Sequence, residues 1–201
     1  MEQKGTCPIE TARLYLGRFT MNDVYAVYEN WAKDPYVTRF LTWPAHINPD
    51  ITRQILLKWI ESYLKPDFYQ WGITRKDDPG TPIGTISAVK IDEETETVSI
   101  GYCLGRDWWN QGIMSEALWG VIRFFFEEVH LNRVAACHDI NNPASGKVME
   151  KCHMTYEGTL RQGGRNNQGI ADLAVYSILR DRKSTRLNSS HITRSRMPSS
   201  A

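Results

Sequence analysis

RDWWNQGIMSEALWG (106–120) changes character halfway along, from an aromatic, polar loop around Gly112 to a helix. From Leu118 onward, Val121, Ile122, Phe125 and Val129 recur at the spacing of one buried helix face. Just upstream, VSIGYCL (98–104) reads as a strand. A strand that turns tightly into a helix gathers unpaired backbone N–H groups and the positive end of the helix dipole at one point, which suits a phosphate or pyrophosphate. Gly112 lets the backbone approach such a group because it carries no Cβ. The same geometry also serves as an ordinary strand-to-helix connection, so this loop marks a place and leaves the ligand open.

The elements on either side supply the context. RLYLGRF (13–19) reads as a strand, and Thr20 with Asp23 as a capping box that starts a helix with Val24, Val27, Tyr28 and Trp31 on one face. Asn48 and Pro49 start a second helix with Ile55, Trp59 and Tyr63 on one face. FYQWGITRK, PIGTISAVKI and VSIGYCL, separated by the turns DDPG and DEETE, predict an antiparallel meander. After the loop and its helix come the strand RVAACHDI, a short helix over 143–152, and two strands, MTYEGTLRQ and ADLAVYSIL, joined by GGRNNQG. The order β-α-α-β-β-β-α-β-α-β-β predicts an α/β fold in which helices flank a mixed, mostly antiparallel sheet.

Composition bounds the function. With 41% hydrophobic residues in 201, the chain is long enough for one domain with a sizeable core. No stretch has the apolar length of a membrane span and 1–20 lacks the order of a signal peptide, which predicts a cytoplasmic protein without a membrane partner. Cys7, Cys103, Cys137 and Cys152 show neither CxxC spacing nor a histidine at metal spacing, so no metal site and no disulfide framework is expected. The domain is expected over 1–180. The remainder, 181–201, is Ser/Arg-rich and aperiodic, and Asp181 to His191 reads as the in-frame translation of a common sequencing adapter; it is expected to be a disordered artefact. Without its five Lys/Arg and one Asp, the formal net charge falls from +1 to about −3. The basic tail therefore gives no reason to expect a nucleic-acid partner.

A second strand-to-helix junction, HDINNPASGKVMEK (138–151), carries Asn142 and Ser145. Asn before Pro is a good helix cap, and it can also face a ligand. TARLYLGRFTMNDV, GTISAV, IGYCL, GIMSEAL, NNPASGKVMEK, YEGTLR and DLAVYSIL occur in one order over about 11–180. In type and order these stretches resemble the GNAT superfamily of acetyl-CoA-dependent N-acetyltransferases, and within it the RimJ/RimL-like branch, which includes enzymes acetylating ribosomal-protein N-termini.

The resemblance implies a sheet with splayed central strands that bind acetyl-CoA as co-substrate. Tyr102, Cys103 and Leu104, on a strand similar to the family's bulged one, would bond the pantetheine arm through their backbones. Trp109, Asn110, Gln111, Gly112, Ile113 and Met114 would hold the pyrophosphate through their amides. Asn142 would bond a pantetheine amide, and Ser145 would sit near the sulfur and protonate the departing thiolate as general acid. The family works by direct attack of an amine on the bound thioester. Tyr36, Phe40 and Trp43, in a segment (33–49) that also holds His46, match the region lining the acceptor pocket. A primary amine is thus the expected partner, most simply a peptide or protein N-terminus; a small polyamine or antibiotic, and a non-catalytic acetyl-CoA-binding module, are the alternatives. A monomer or homodimer fits equally.

Several positions depart from the family pattern. Trp109 stands where the loop usually has Arg or Gln, and Met114 where it has Gly or Ala. His153 follows the last helix where Gly is usual, and Ser99 takes a strand position that in many relatives is Glu, the obvious general base. Glu96, three residues earlier, is expected on the opposite face of a regular strand. Cys103 and Cys137 are expected as small core residues, His130 and His138 as polar fillers or surface groups, and Phe124, Phe125 and Phe126 as core plus one exposed ring.

Overall fold

The computed structural model describes residues 1–180, so the expected tail lies outside the described residues. A two-residue strand β1 (Ile9–Glu10) precedes β2 (Leu14–Gly17). The first helical segment is irregular: a 3-10 turn, Met21–Asp23, leads into α1 (Val24–Val27) and a π turn, Tyr28–Ala32, followed by the single turn α2 (Pro35–Thr38). Thr20 and Asp23 form the expected capping box. Asn48 caps α3 (Pro49–Ser62), its side chain accepting from the amides of Asp50 and Ile51. The meander is β3 (Gln70–Arg75), β4 (Gly84–Asp92) and β5 (Thr97–Leu104). Then follow α4 (Ile113–Glu127), β6 (Arg133–Asp139), α5 (Pro143–Lys151), β7 (Thr155–Asn166) and β8 (Gly169–Leu179).

The eight strands form one sheet, ordered β1-β2-β3-β4-β5-β6-β8-β7. Among these pairs only β5 with β6 is parallel. Because side chains alternate along a strand, β5 feeds both faces. Val98, Ile100 and Leu104 pack with α4 and α5, and Cys103 packs with Phe19, Val24, Val27, Trp31 and Leu56 beneath α1 and α3. On the α4 side Tyr69 and Trp71 of the meander meet Phe124 and Phe125 at ring distances of 5.0 to 6.1 Å, edge to face.

Four local expectations are corrected. GGRNNQG is not a seven-residue loop: β7 runs on to Asn166 and turns through Asn167 and Gln168, while a register shift between Leu160 and Gly164 absorbs the glycines as a bulge. Phe126 is buried like Phe124 and Phe125, so none of the three rings is exposed. Cys137 is exposed, because it lies on the sheet face opposite α5, at the point where β6 loses its neighbour β5. The bulge near the sheet centre belongs to β4, where Val89 is the extra residue between Ala88 and Lys90, and not to β5.

Candidate active site

The parallel pairing stops early. Thr97 to Ile100 match Arg133 to Ala136, yet β5 continues to Leu104 and β6 to Asp139, so the two strands fork over their last residues. The β4 bulge lies opposite Ser99 and Ile100, at the branch point, and a bulge there sharpens the local twist that parts the strands. Tyr102 and Leu104 thus turn their backbone groups to the edge of β5 that faces the fork, whereas the Cys103 carbonyl lies against Gly84 of β4, because backbone groups alternate between the two edges of a strand, so the expected backbone role of Cys103 is corrected. The carbonyl of Leu104 is already bonded by the indole N–H of Trp109 at 2.8 Å, so Trp109 ties the loop to the strand it leaves.

Beyond the fork, the loop closes into α4. Asn110 has φ 60° and Gly112 φ 74°, both left-handed, and Gly112 occupies the position just before the helix. No side chain caps this end, and among the described residues the amides of Ile113, Met114 and Ser115 have no partner. The surrounding groups brace the loop from its other side. Gln111 donates to the Asp107 carbonyl (2.8 Å), and the Arg13 guanidinium donates to the Gln111 carbonyl (3.1 Å) and to Glu116 (2.6 Å). Glu116 also accepts from the Thr11 hydroxyl (2.6 Å) and the Arg13 amide (2.8 Å). Partial burial alone would raise the Glu116 carboxyl, but these donors together hold it below its ordinary range. Sequence reasoning missed Arg13 and Glu116 because they lie 103 residues apart.

The second junction is built by Asp139, which is buried. Its carboxylate accepts from the Asn141 amide (2.8 Å) and side chain (3.0 Å) and from Asn166 at the β7–β8 tip (2.7 Å), while its carbonyl accepts from the Asn142 amide (2.7 Å). The Asn142 side chain does not cap α5. Capping, the ordinary explanation for Asn before Pro, is therefore set aside, and the amide group is left for another partner. One turn on, the Ser145 hydroxyl lies 3.0 Å from the Tyr102 hydroxyl, which is also 3.1 Å from the Ser145 carbonyl. Beside them His138 is pressed against α5, with its Nε2 sealed from solvent and without a hydrogen-bond partner among the described residues.

On the opposite face, Tyr36 and Phe40 stack with Arg39, whose guanidinium lies 5.1 and 4.3 Å from the two rings. Trp43 packs against the core beneath α1 and α3, 5.2 Å from His46. His46 bonds Thr52 at 2.8 Å, and burial lowers its pKa. The segment is held by Asn167, whose side chain donates to the carbonyls of Thr38 (2.8 Å) and Trp43 (2.7 Å) and whose amide donates to Leu41 (3.1 Å). The β7–β8 tip thus joins the second junction to the aromatic segment: Asn166 holds the Asp139 turn, Asn167 the segment.

Other residues have structural work. Glu96 stands in the turn before β5 at φ 47°, its carbonyl accepting from Asn132 and Arg133 and its carboxylate facing the N-terminal amine at 3.5 Å. Ser99 lines a shallow polar cleft with Lys90, Asp92, Thr97 and Arg133. The carboxylate there, Asp92, accepts from the Thr95 amide, which holds it below its ordinary range, the wrong direction for a base near neutrality. Burial pushes the thiols of Cys103 and Cys152 up to about 12, so both behave as packing groups. His153 takes the left-handed position after α5, at φ 58°.

The family model described as acetyltransferase (GNAT) domain matches residues 13–155. The ribosomal-protein-serine acetyltransferase of Escherichia coli is 26% identical over 169 residues, covering 79% of this chain and 93% of that protein. Among solved structures, a GNAT-family acetyltransferase from Bacillus anthracis aligns with TM-score 0.75 and 24% identity over 87% of this chain and 99% of its own. RimL, a ribosomal L7/L12 alpha-N-protein acetyltransferase solved with coenzyme A, aligns with TM-score 0.76 and 22% identity over 86% and 98%. With the forked strands, the open helix N-terminus and a family match over most of its length, the chain belongs to the GNAT acetyltransferases and is an acetyl-CoA-dependent acyltransferase.

Proposed function

We propose that the protein transfers the acetyl group of acetyl-CoA to the α-amine of a peptide or protein N-terminus, by direct attack of the amine. The carrying observation is the fork between β5 and β6 lying between two helix starts, α4 and α5, whose polar groups are not used up internally. The residues fit the co-substrate. The open amides of Ile113, Met114 and Ser115 suit a pyrophosphate, and a Cβ at Gly112 would meet no atom closer than the Arg13 guanidinium at 3.6 Å. Tyr102 and Leu104 border the slot for the pantetheine arm; Leu104 contributes its amide, since its carbonyl is taken. Asn142 offers its free side-chain amide, and Ser145 is the proton donor to the departing sulfur. Acetyl-CoA itself supplies the activated thioester.

The acceptor follows from the missing base. An amine attacks only when neutral; at pH 7 that costs about 1 kcal/mol for an α-amine and about 4.6 kcal/mol for lysine. Ser99 replaces the usual strand carboxylate and Asp92 is held acidic, so only the smaller cost is met, through water. The names of the E. coli relative and of RimL, both ribosomal-protein acetyltransferases, point the same way. Tyr36, Phe40 and Trp43 then line the acceptor entrance. Mass spectrometry after incubation with acetyl-CoA tests this: peptides with a free N-terminus should be acetylated there, and N-terminally blocked peptides carrying lysine should not. Preferential lysine modification overturns the α-amine reading, and acetylation of polyamines or aminoglycosides alone selects a small-amine enzyme.

A further inference from the structure

The Tyr102 hydroxyl is placed to act on Ser145. It comes from β5, on the face of the sheet that packs against α4 and α5, and lies 3.0 Å from the Ser145 Oγ and 3.1 Å from the Ser145 carbonyl. A phenol has one proton and a serine hydroxyl has one, so the pair has two arrangements. In the first, Tyr102 donates to the carbonyl and accepts from Ser145; the serine proton then points at the tyrosine and is not available. In the second, Tyr102 donates to the Ser145 Oγ, and the serine O–H is free to turn toward the fork.

We infer that Tyr102 is a positioning residue for acetyl transfer, switching the Ser145 hydroxyl from the first arrangement to the second when the sulfur arrives. The inference rests on the role of Ser145 proposed above. In the second arrangement Ser145 gives its Oγ proton to the departing sulfur, the electron pair of the broken carbon–sulfur bond stays on sulfur, and an S–H bond forms. The Tyr102 hydroxyl stabilises the negative charge that develops on Oγ, which then regains a proton from solvent. Burial raises the Tyr102 pKa, so its phenol keeps its proton and remains a donor across the working pH range. The resemblance assigns Tyr102 only backbone contacts; the hydroxyl pair was unreadable because its members are 43 residues apart.

A double-mutant cycle tests the inference on the full-length protein. Acetyl transfer from acetyl-CoA to a free-N-terminal serine peptide, and in parallel to spermidine, is followed by release of the coenzyme A thiol for wild type, Tyr102→Phe, Ser145→Ala and the double variant. Coenzyme A binding by titration calorimetry accompanies each. Tyr102→Phe should lower kcat about tenfold, the value of one net hydrogen bond, with KM for acetyl-CoA and coenzyme A affinity within about twofold of wild type. In the Ser145→Ala background the same change should add nothing, since the group it positions is gone. A wild-type kcat in Tyr102→Phe, additive losses in the double variant, or a loss confined to coenzyme A affinity overturns the positioning role; the last two are what a structural staple between β5 and α5 would give. If Ser145→Ala retains full kcat, or the wild type acetylates neither amine, the proposed chemistry falls first and this inference with it.

Discussion

Two glycines show how much one missing Cβ can do. Gly112 is held at φ 74°, where an L side chain is strained, and its space opens toward the helix end. Gly112→Asp adds that strain and a negative charge where a pyrophosphate would lie, so it should abolish the rise in melting temperature that acetyl-CoA gives the wild type; an undiminished rise would remove the loop from the binding site. Gly146 has an ordinary backbone, but a Cβ there would fall 2.7 Å from the His138 Nε2. Gly146→Ala should therefore cost about 1 to 3 kcal/mol as overpacking. Combining it with His138→Ala should recover most of that loss, measured by denaturant unfolding.

At the scale of elements, the start of α4 is held by an interaction between distant segments. Glu116 accepts from Thr11 and Arg13, and its carboxyl is lowered from its ordinary 4.5. A depressed folded pKa contributes stability that is fully present above the unfolded value and is lost as pH falls through the folded one. Glu116→Gln should thus destabilise at pH 7, and the difference between the variants should shrink below pH 4.5, seen as converging melting temperatures in acid. A constant gap would mean that the charge is immaterial. The elements themselves were largely readable. Leu118, Val121, Ile122 and Phe125 on α4 are all buried, as is Val129 just past its end, and the Thr20 and Asn48 caps are where the side chains require them. The β7–β8 hairpin was not, because Gly163 and Gly164 look like turn residues in sequence and only the sheet partner shows that they continue a bulged strand. Candidate site positions at the two helix starts were readable for the same reason as the helices. The interactions of Arg13 with Glu116, Tyr102 with Ser145 and Asn167 with Trp43 were not, since long-range pairing leaves no local pattern in one sequence.

At the scale of the molecule, a ligand in the proposed site would touch β5 from one half of the chain and α4 and α5 from the other. Binding only to this closed arrangement should raise stability by mass action, about 2.7 kcal/mol at a hundredfold excess over the dissociation constant. A thermal melt with and without acetyl-CoA checks it, and an unchanged midpoint counts against the whole site. The edge-to-face cluster of Tyr69 and Trp71 with Phe124 and Phe125 has a different consequence, for biosynthesis. Strand order follows chain order from β1 to β6, so a nascent chain could pair its first five strands as it emerges. Those strands would have nothing to cover Leu14, Trp71, Ile73 and Ile86 until α4 is made, and a sheet with one bare apolar face is not independently stable. The ribosome must therefore deliver residues through Glu127 before the first half can set, and a chain stalled within the loop at Gly112 would leave a sticky, protease-sensitive intermediate with a half-built sheet.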